Sequence, residues 1–155
     1  MFCVRQEGYL TLATMNNRET LSLRDRTFRV INAQVIPFKD TWQIEIETDG
    51  QDFNGEWWAP RLYHQGLILP SQNGQELDDL QLSWETQDGA GYLHPELGIM
   101  YVFGHHAVRD CSIKFGKFKS GRIEISWKGV CDIFWDGEYS DNVPFACSCT
   151  AIVGG

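Results

Sequence analysis

The stretch KFGKFKSGRIEISWKGVCDIFWDGEYSDNVPFACSCTAIV, residues 114–153, decides the reading of the fold. Ile113 and Phe115 alternate with polar neighbours, Lys117 to Gly121 reads as a turn, and Ile123, Ile125 and Trp127 alternate with Arg122, Glu124 and Ser126. Lys128-Gly129 reads as a second turn into Val130 to Trp135, Asp136-Gly137 as a third break, and Phe145 to Val153 as a last strand. A period of two sends successive side chains to opposite faces. The stretch therefore predicts three or four strands of an antiparallel meander with one buried face.

The rest of the chain follows the same period. Tyr9 to Thr14 and Thr20 to Leu23 each alternate, with Asn16-Asn17 between them, and predict a hairpin. Phe28 to Phe38 is a longer β-prone run in which Pro37 is expected to end the pairing. In Trp42 to Thr48, Trp42, Ile44 and Ile46 face in, Glu45 and Glu47 face out, and Asp49-Gly50 turns the chain. Between Gln51 and Gly74 the pattern loosens. Trp57 and Trp58 are adjacent, so in a strand one ring must point away from the core, and Pro60 restricts the segment to an edge or bulge. Leu67 to Leu69 is a short apolar run closed by Pro70, Ser71 to Glu76 reads as a loop, and Leu80, Leu82 and Trp84 alternate as a strand. Asp88 to Gly91 reads as a turn, and Ile99, Tyr101 and Phe103 mark a strand within residues 98–108.

No window carries a 3.6-residue apolar stripe, so the expected class is all-β, with about nine to eleven short antiparallel strands. A single open sheet of that size would leave one face and two edges unprotected. A β-sandwich is the first expectation and a closed β-barrel the alternative. With no internal repeat, low-complexity segment or linker, residues 1–155 read as one domain.

At 155 residues such a chain removes roughly 70% of its unfolded surface from water and needs no metal or disulfide framework. A net charge of -8 and a pI near 4.9 argue against nucleic acid or an anionic membrane as direct partner, because both demand an excess of Lys and Arg. The first residues show no basic head followed by an apolar run, and no stretch approaches the length of a membrane helix, so a cytoplasmic protein is expected. Five cysteines, Cys3, Cys111, Cys131, Cys147 and Cys149, have no zinc-ribbon spacing. Cys147 and Cys149 share one strand face about 7 Å apart, poorly placed to bond each other, and buried reduced thiols are expected.

Charge is segregated along the chain. From Leu62 to Val108 there is no Lys or Arg, while Glu76, Asp78, Asp79, Glu85, Asp88 and Glu96 are acidic. Asp132, Asp136, Glu138 and Asp141 surround Trp135 and Tyr139, and the cations gather in Arg18 to Arg29 and Lys114 to Lys119. Such a distribution steers a positive partner.

The stretch Ile123 to Phe145, IEISWKGVCDIFWDGEYSDNVPF, resembles the C-terminal segment of small immunity proteins of contact-dependent growth inhibition and related polymorphic toxin systems. The resemblance implies a cytosolic protein that binds one cognate toxin domain, often a nuclease, and blocks it. It assigns no binding residue, since Trp127, Gly129, Trp135 and Pro144 serve packing equally well. Under that hypothesis carboxylates take the place of the phosphates that a nuclease holds with Lys and Arg. Asp136, Glu138, Tyr139 and Asp141 are then the first expected contact group, and Asp78, Asp79, Glu85 and Asp88 the second. Tyr139 fits a core position as well as an anchor.

Two rival readings belong to other classes. An enzyme is not expected. His105 and His106, neighbours on a strand, face opposite ways and cannot both hold one metal, although one of them could join His64 or His94. Glu45 and Glu47 share a face at a spacing compatible with glycoside chemistry, but exposed alternating glutamates on a strand are far commoner. No nucleophile elbow, phosphate loop or dinucleotide fingerprint occurs, and no metal or cofactor is expected. A carbohydrate-binding sandwich is the other rival, since six Trp, with Trp57-Trp58 half exposed, could stack on sugar rings.

Overall fold

Trp42, Ile44 and Ile46 are buried while Gln43, Glu45 and Glu47 are partly exposed, so the Trp42 to Thr48 segment is the amphipathic strand its alternation predicts. The computed structural model describes residues 19–39, 41–68, 73–84, 99–101, 105–135 and 138–154. Eleven strands lie within them: β1 (Thr20–Leu23), β2 (Arg26–Phe38), β3 (Thr41–Thr48), β4 (Gln51–Phe53), β5 (Glu56–Trp58), β6 (Arg61–Ile68), β7 (Gln81–Trp84), β8 (Ile99–Tyr101), β9 (His105–Phe115), β10 (Arg122–Trp135) and β11 (Glu138–Val153). The only helical element among the described residues is a 3-10 turn, Gly74–Leu77, capped by the Asn73 carboxamide, which accepts from the Gln75 N–H.

The protein is all-β, and of the two arrangements considered, a rolled sheet is the one the pairing gives. Nine strands follow the order β10-β11-β1-β2-β3-β6-β8-β9-β7, and β9 also pairs with β10. The sheet therefore curls until β10 lies beside β9, in the manner of a half-barrel. The strands allow this because β2, β10 and β11 are 13, 14 and 16 residues long and bend at register shifts. β7 lies beside Cys111 to Lys114 of β9, beyond the short β8.

The inward positions of the curl form the core. Phe28, Trp42, Phe115 and Trp127 are its largest fully buried side chains, joined by Leu21, Leu23, Ile44, Ile46, Leu62 and Ile113. Each such side chain contributes about 1.5–3 kcal/mol relative to an exposed one. His64 is buried there with its ring 6.0 Å from that of Trp127. The β4–β5 hairpin packs Phe53 and Trp58, rings 4.8 Å apart, against Phe28, and leaves Trp57 64% exposed, so the adjacent tryptophans do point opposite ways. Leu77 carries the 3-10 turn into the same core.

β11 holds the curl together, since it lies against β10, β1 and the end of β2. Where β1 stops, the Glu19 carboxylate takes over its role by accepting the Thr150 N–H at 3.0 and 3.1 Å. Beyond it β11 and β2 run side by side in parallel, Ile152 opposite Gln34 and Val153 opposite Val35. A side chain thus satisfies a backbone donor that a neighbouring strand would otherwise bond.

Several local expectations are corrected. Lys128-Gly129 is not a turn: β10 runs straight through it, and the chain reverses at Ser120-Gly121, where both residues have positive φ as a two-residue hairpin turn requires. Pro37 does not end the pairing of β2, which continues opposite Trp42 and Thr41. β6 forms where the pattern had loosened, and the single run around residues 98–108 is two strands, β8 and β9. Tyr9 to Thr14 lies outside the described residues, and β1 pairs with β11 and β2.

Candidate protein-binding surface

Two bulges, one on each neighbour of β10, meet on the outer face of the sheet. On β9 the register jumps from Arg109, opposite Val130, to Ser112, opposite Lys128, so Asp110 and Cys111 together oppose Gly129, with Asp110 at φ 49. On β11 the register jumps from Val143, opposite Cys131, to Ser140, opposite Ile133, so Asp141 and Asn142 together oppose Asp132, with Asn142 at φ 52. Left-handed backbone at residues other than glycine is uncommon, and both residues belong to types that tolerate it. Bulges re-aim side chains and bend strands.

Gly129 makes the first bulge possible. A methyl group there would lie 2.5 Å from the Cys111 sulfur, 2.9 Å from the Arg109 carbonyl oxygen and 3.0 Å from the Phe145 ring. A glycine inside an otherwise alternating strand is itself a sequence signal for a bulge or a close backbone approach.

Asp132 of β10 lies between the bulges and joins them. The Arg109 guanidinium donates to both of its oxygens, at 3.0 and 2.7 Å, and the Asn142 N–H donates to Oδ1 at 2.9 Å. Arg109 also donates to the Asn142 carboxamide oxygen. The Arg109 hydrogen bonds, then the Asn142 N–H, hold the Asp132 carboxyl down at about 2. The same pairing raises Arg109. This bidentate, partly buried pair stiffens the strand end.

Beyond this network the β10–β11 end is exposed. Phe134 pairs directly with Tyr139, and the two are 54% and 62% exposed. Glu138 and Asp141 are exposed beside them, and the Tyr139 phenol is raised by its packing and by the Asp132 and Asp141 carboxylates. From the turn after β1, Arg24 donates to the Ser140 hydroxyl at 3.1 Å, tying this end to the sheet. Of the first expected contact group, Glu138, Tyr139 and Asp141 are thus brought together on the surface, with Tyr139 outside the core, while Asp136 lies outside the described residues.

The second group fares differently. Asp78 and Asp79 are both paired with Lys117, and Asp78 also accepts the Phe118 N–H at 2.6 Å, so their charge serves to fasten the 3-10 turn to the segment after β9. Glu85 and Asp88 lie outside the described residues. Lys117 follows Arg109 by eight positions along the chain. At about 3.3 Å per residue eight extended positions span about 26 Å, an upper limit because a bulge interrupts β9.

The other candidates bring no reactive constellation together. An open groove of about 660 Å³ on the outer face is lined by Glu19, Lys114, Glu124, Ser126, Ser148 and Thr150. None of the predicted contact residues lines it, and its Glu19 is engaged on the Thr150 N–H. Among the described residues no three His, Cys, Asp or Glu side chains converge as metal ligands, and no helix is long and apolar enough to cross a membrane. Cys111, Cys131, Cys147 and Cys149 are buried and free of disulfides, and burial pushes the Cys111 and Cys131 thiols up to about 12.

Sequence reading missed Phe134, Arg109 and Asn142. Phe134 alternates as an outward residue but looks like core by type, and the other two matter only because the bulges aim them at Asp132. Comparison of the chain with protein-family models, with curated proteins and with solved structures finds no match.

Proposed function

We propose that this chain is an immunity-type inhibitor, a cytoplasmic protein that binds one cognate bacterial toxin domain, a cationic nuclease, and blocks it. The observation that carries this reading is the exposed group Glu138, Tyr139 and Asp141 beside Phe134, presented on a strand end stiffened by the Arg109–Asp132–Asn142 network. A nuclease exposes Lys and Arg where it grips phosphates. Carboxylates held in a fixed array occupy that cleft without a large ordering cost, and an aromatic anchor beside them supplies apolar burial. The protein contributes no chemistry of its own, only shape and charge.

Co-expression with the toxin domain encoded beside it tests the proposal. Growth is expected to be rescued and a one-to-one complex to elute on size-exclusion chromatography. Replacing Tyr139 by Ala together with Asp141 by Asn is expected to weaken the complex by about tenfold or more. Neither complex nor rescue with the native chain would end this reading.

A second reading rests on Trp57, whose exposed ring on the β4–β5 hairpin could stack on a sugar. Binding on a glycan array that is lost in Trp57→Ala would favour it over the inhibitor.

A further inference from the structure

We infer that Phe134, Tyr139 and Asp141 form a notch that accepts an arginine side chain of the partner protein, in preference to lysine. The inference rests on the inhibitor reading for the identity of the partner, but not for the chemistry of the notch. Phe134 and Tyr139 are opposed residues of an antiparallel pair, so their rings leave the same face of the sheet about 5 Å apart at Cβ. Both are more than half exposed. Asp141 stands at the bulge next to the Tyr139 phenol, and Glu138 precedes it.

Charge and geometry together select the occupant. Among the described residues no ion pair reaches Glu138 or Asp141, whereas Asp132 is taken by Arg109, and Asp78 and Asp79 by Lys117. A cation entering here meets two aromatic edges or faces and carboxylates that no ion pair among the described residues engages. A planar guanidinium can stack on a ring while donating two parallel hydrogen bonds to a carboxylate. An ammonium, more strongly hydrated and compact, can do only one of these well. A phosphate-bearing partner is disfavoured by the same carboxylates and by the net charge of -8.

The test titrates the full chain with hexa-arginine and with hexa-lysine peptides, read by calorimetry and by backbone amide shifts. The arginine peptide is expected to bind at least fivefold tighter, with shifts centred on Phe134 and on residues 138–142. Phe134→Ala and Tyr139→Ala should reduce the arginine affinity to the lysine level, and Asp141→Asn should weaken both peptides. Asp78→Asn, an equal change of charge elsewhere, should leave both within twofold. Equal affinity for the two peptides, shifts centred elsewhere, or concentration-dependent dimerisation that occupies the notch would overturn the inference. Selective arginine binding without any toxin complex would sustain the notch and end the inhibitor reading. A toxin complex untouched by the Phe134 and Tyr139 variants would do the reverse.

Discussion

Asp132 shows how one side chain couples charge to architecture. Its carboxyl titrates at about 2 in the folded chain against an ordinary 3.8, so between these values the unfolded chain binds more protons and stability rises with pH. The contribution is fully present above about pH 4 and is lost as pH falls through about 2. The full shift corresponds to about 2 kcal/mol, and partial solvent exposure reduces this to about 1 kcal/mol. Asp132→Asn is therefore expected to lower stability by about that amount in urea unfolding at pH 7, and the difference from the native chain should vanish near pH 2. The buried thiols give a second expectation. Burial raises Cys111 and Cys131, and Cys149 is raised by its hydrogen bond with Cys147 and by burial, so none is a thiolate at neutral pH. Iodoacetamide at pH 8 should leave these three unmodified in the native protein, as read by mass spectrometry, and should label them promptly in denaturant. Rapid labelling of the folded chain would contradict their packing.

Among the elements, β10 is where a correct period led to a wrong boundary. Ile123 to Ile133 alternates throughout, and Lys128-Gly129 interrupts the apolar positions without interrupting the strand. Glycine sits there because the bulge of β9 brings the Cys111 sulfur and the Arg109 carbonyl against its Cα. Gly129→Ala is expected to cost about 1–3 kcal/mol in chemical denaturation, an overpacking effect, since the added methyl has no space to enter. A neutral outcome would show that the two strands can part there at little cost. β6 illustrates the opposite case. Leu62 and His64 are buried, Arg61 and Tyr63 between them are polar, and the place of the strand is set by β3 on one side and β8 on the other.

For the whole molecule, closure is the decisive property. Thr20 pairs with Arg29 on one side and Ser148 on the other, so the last long strand is needed before the first described one has its second neighbour. A chain ending at Trp135 would lose the strand that lies against β10, β1 and β2. Such a truncation is expected to be unfolded, with collapsed amide dispersion, and the full chain should refold on the millisecond-to-second scale typical of non-local β topologies. A folded truncation would mean that β1, β2, β3 and β6 bury enough surface by themselves.

Alternation by itself determined that this is a β protein, which faces of β3, β10 and the end of β11 are buried, and that one of two adjacent tryptophans lies outside, because a strand's geometry imposes a period of two on any sequence that forms it. Charge counts likewise marked the acidic stretches. Which acidic group stands clear depended on contacts between residues far apart in the chain. Lys117 reaches Asp78 and Asp79, and Arg109 takes Asp132, only because the sheet rolls up and its bulges turn those side chains toward one another. Register shifts and closure are collective outcomes of packing against non-neighbouring strands, and so the tertiary structure alone decided that Phe134 and Tyr139 share an exposed face beside Asp141.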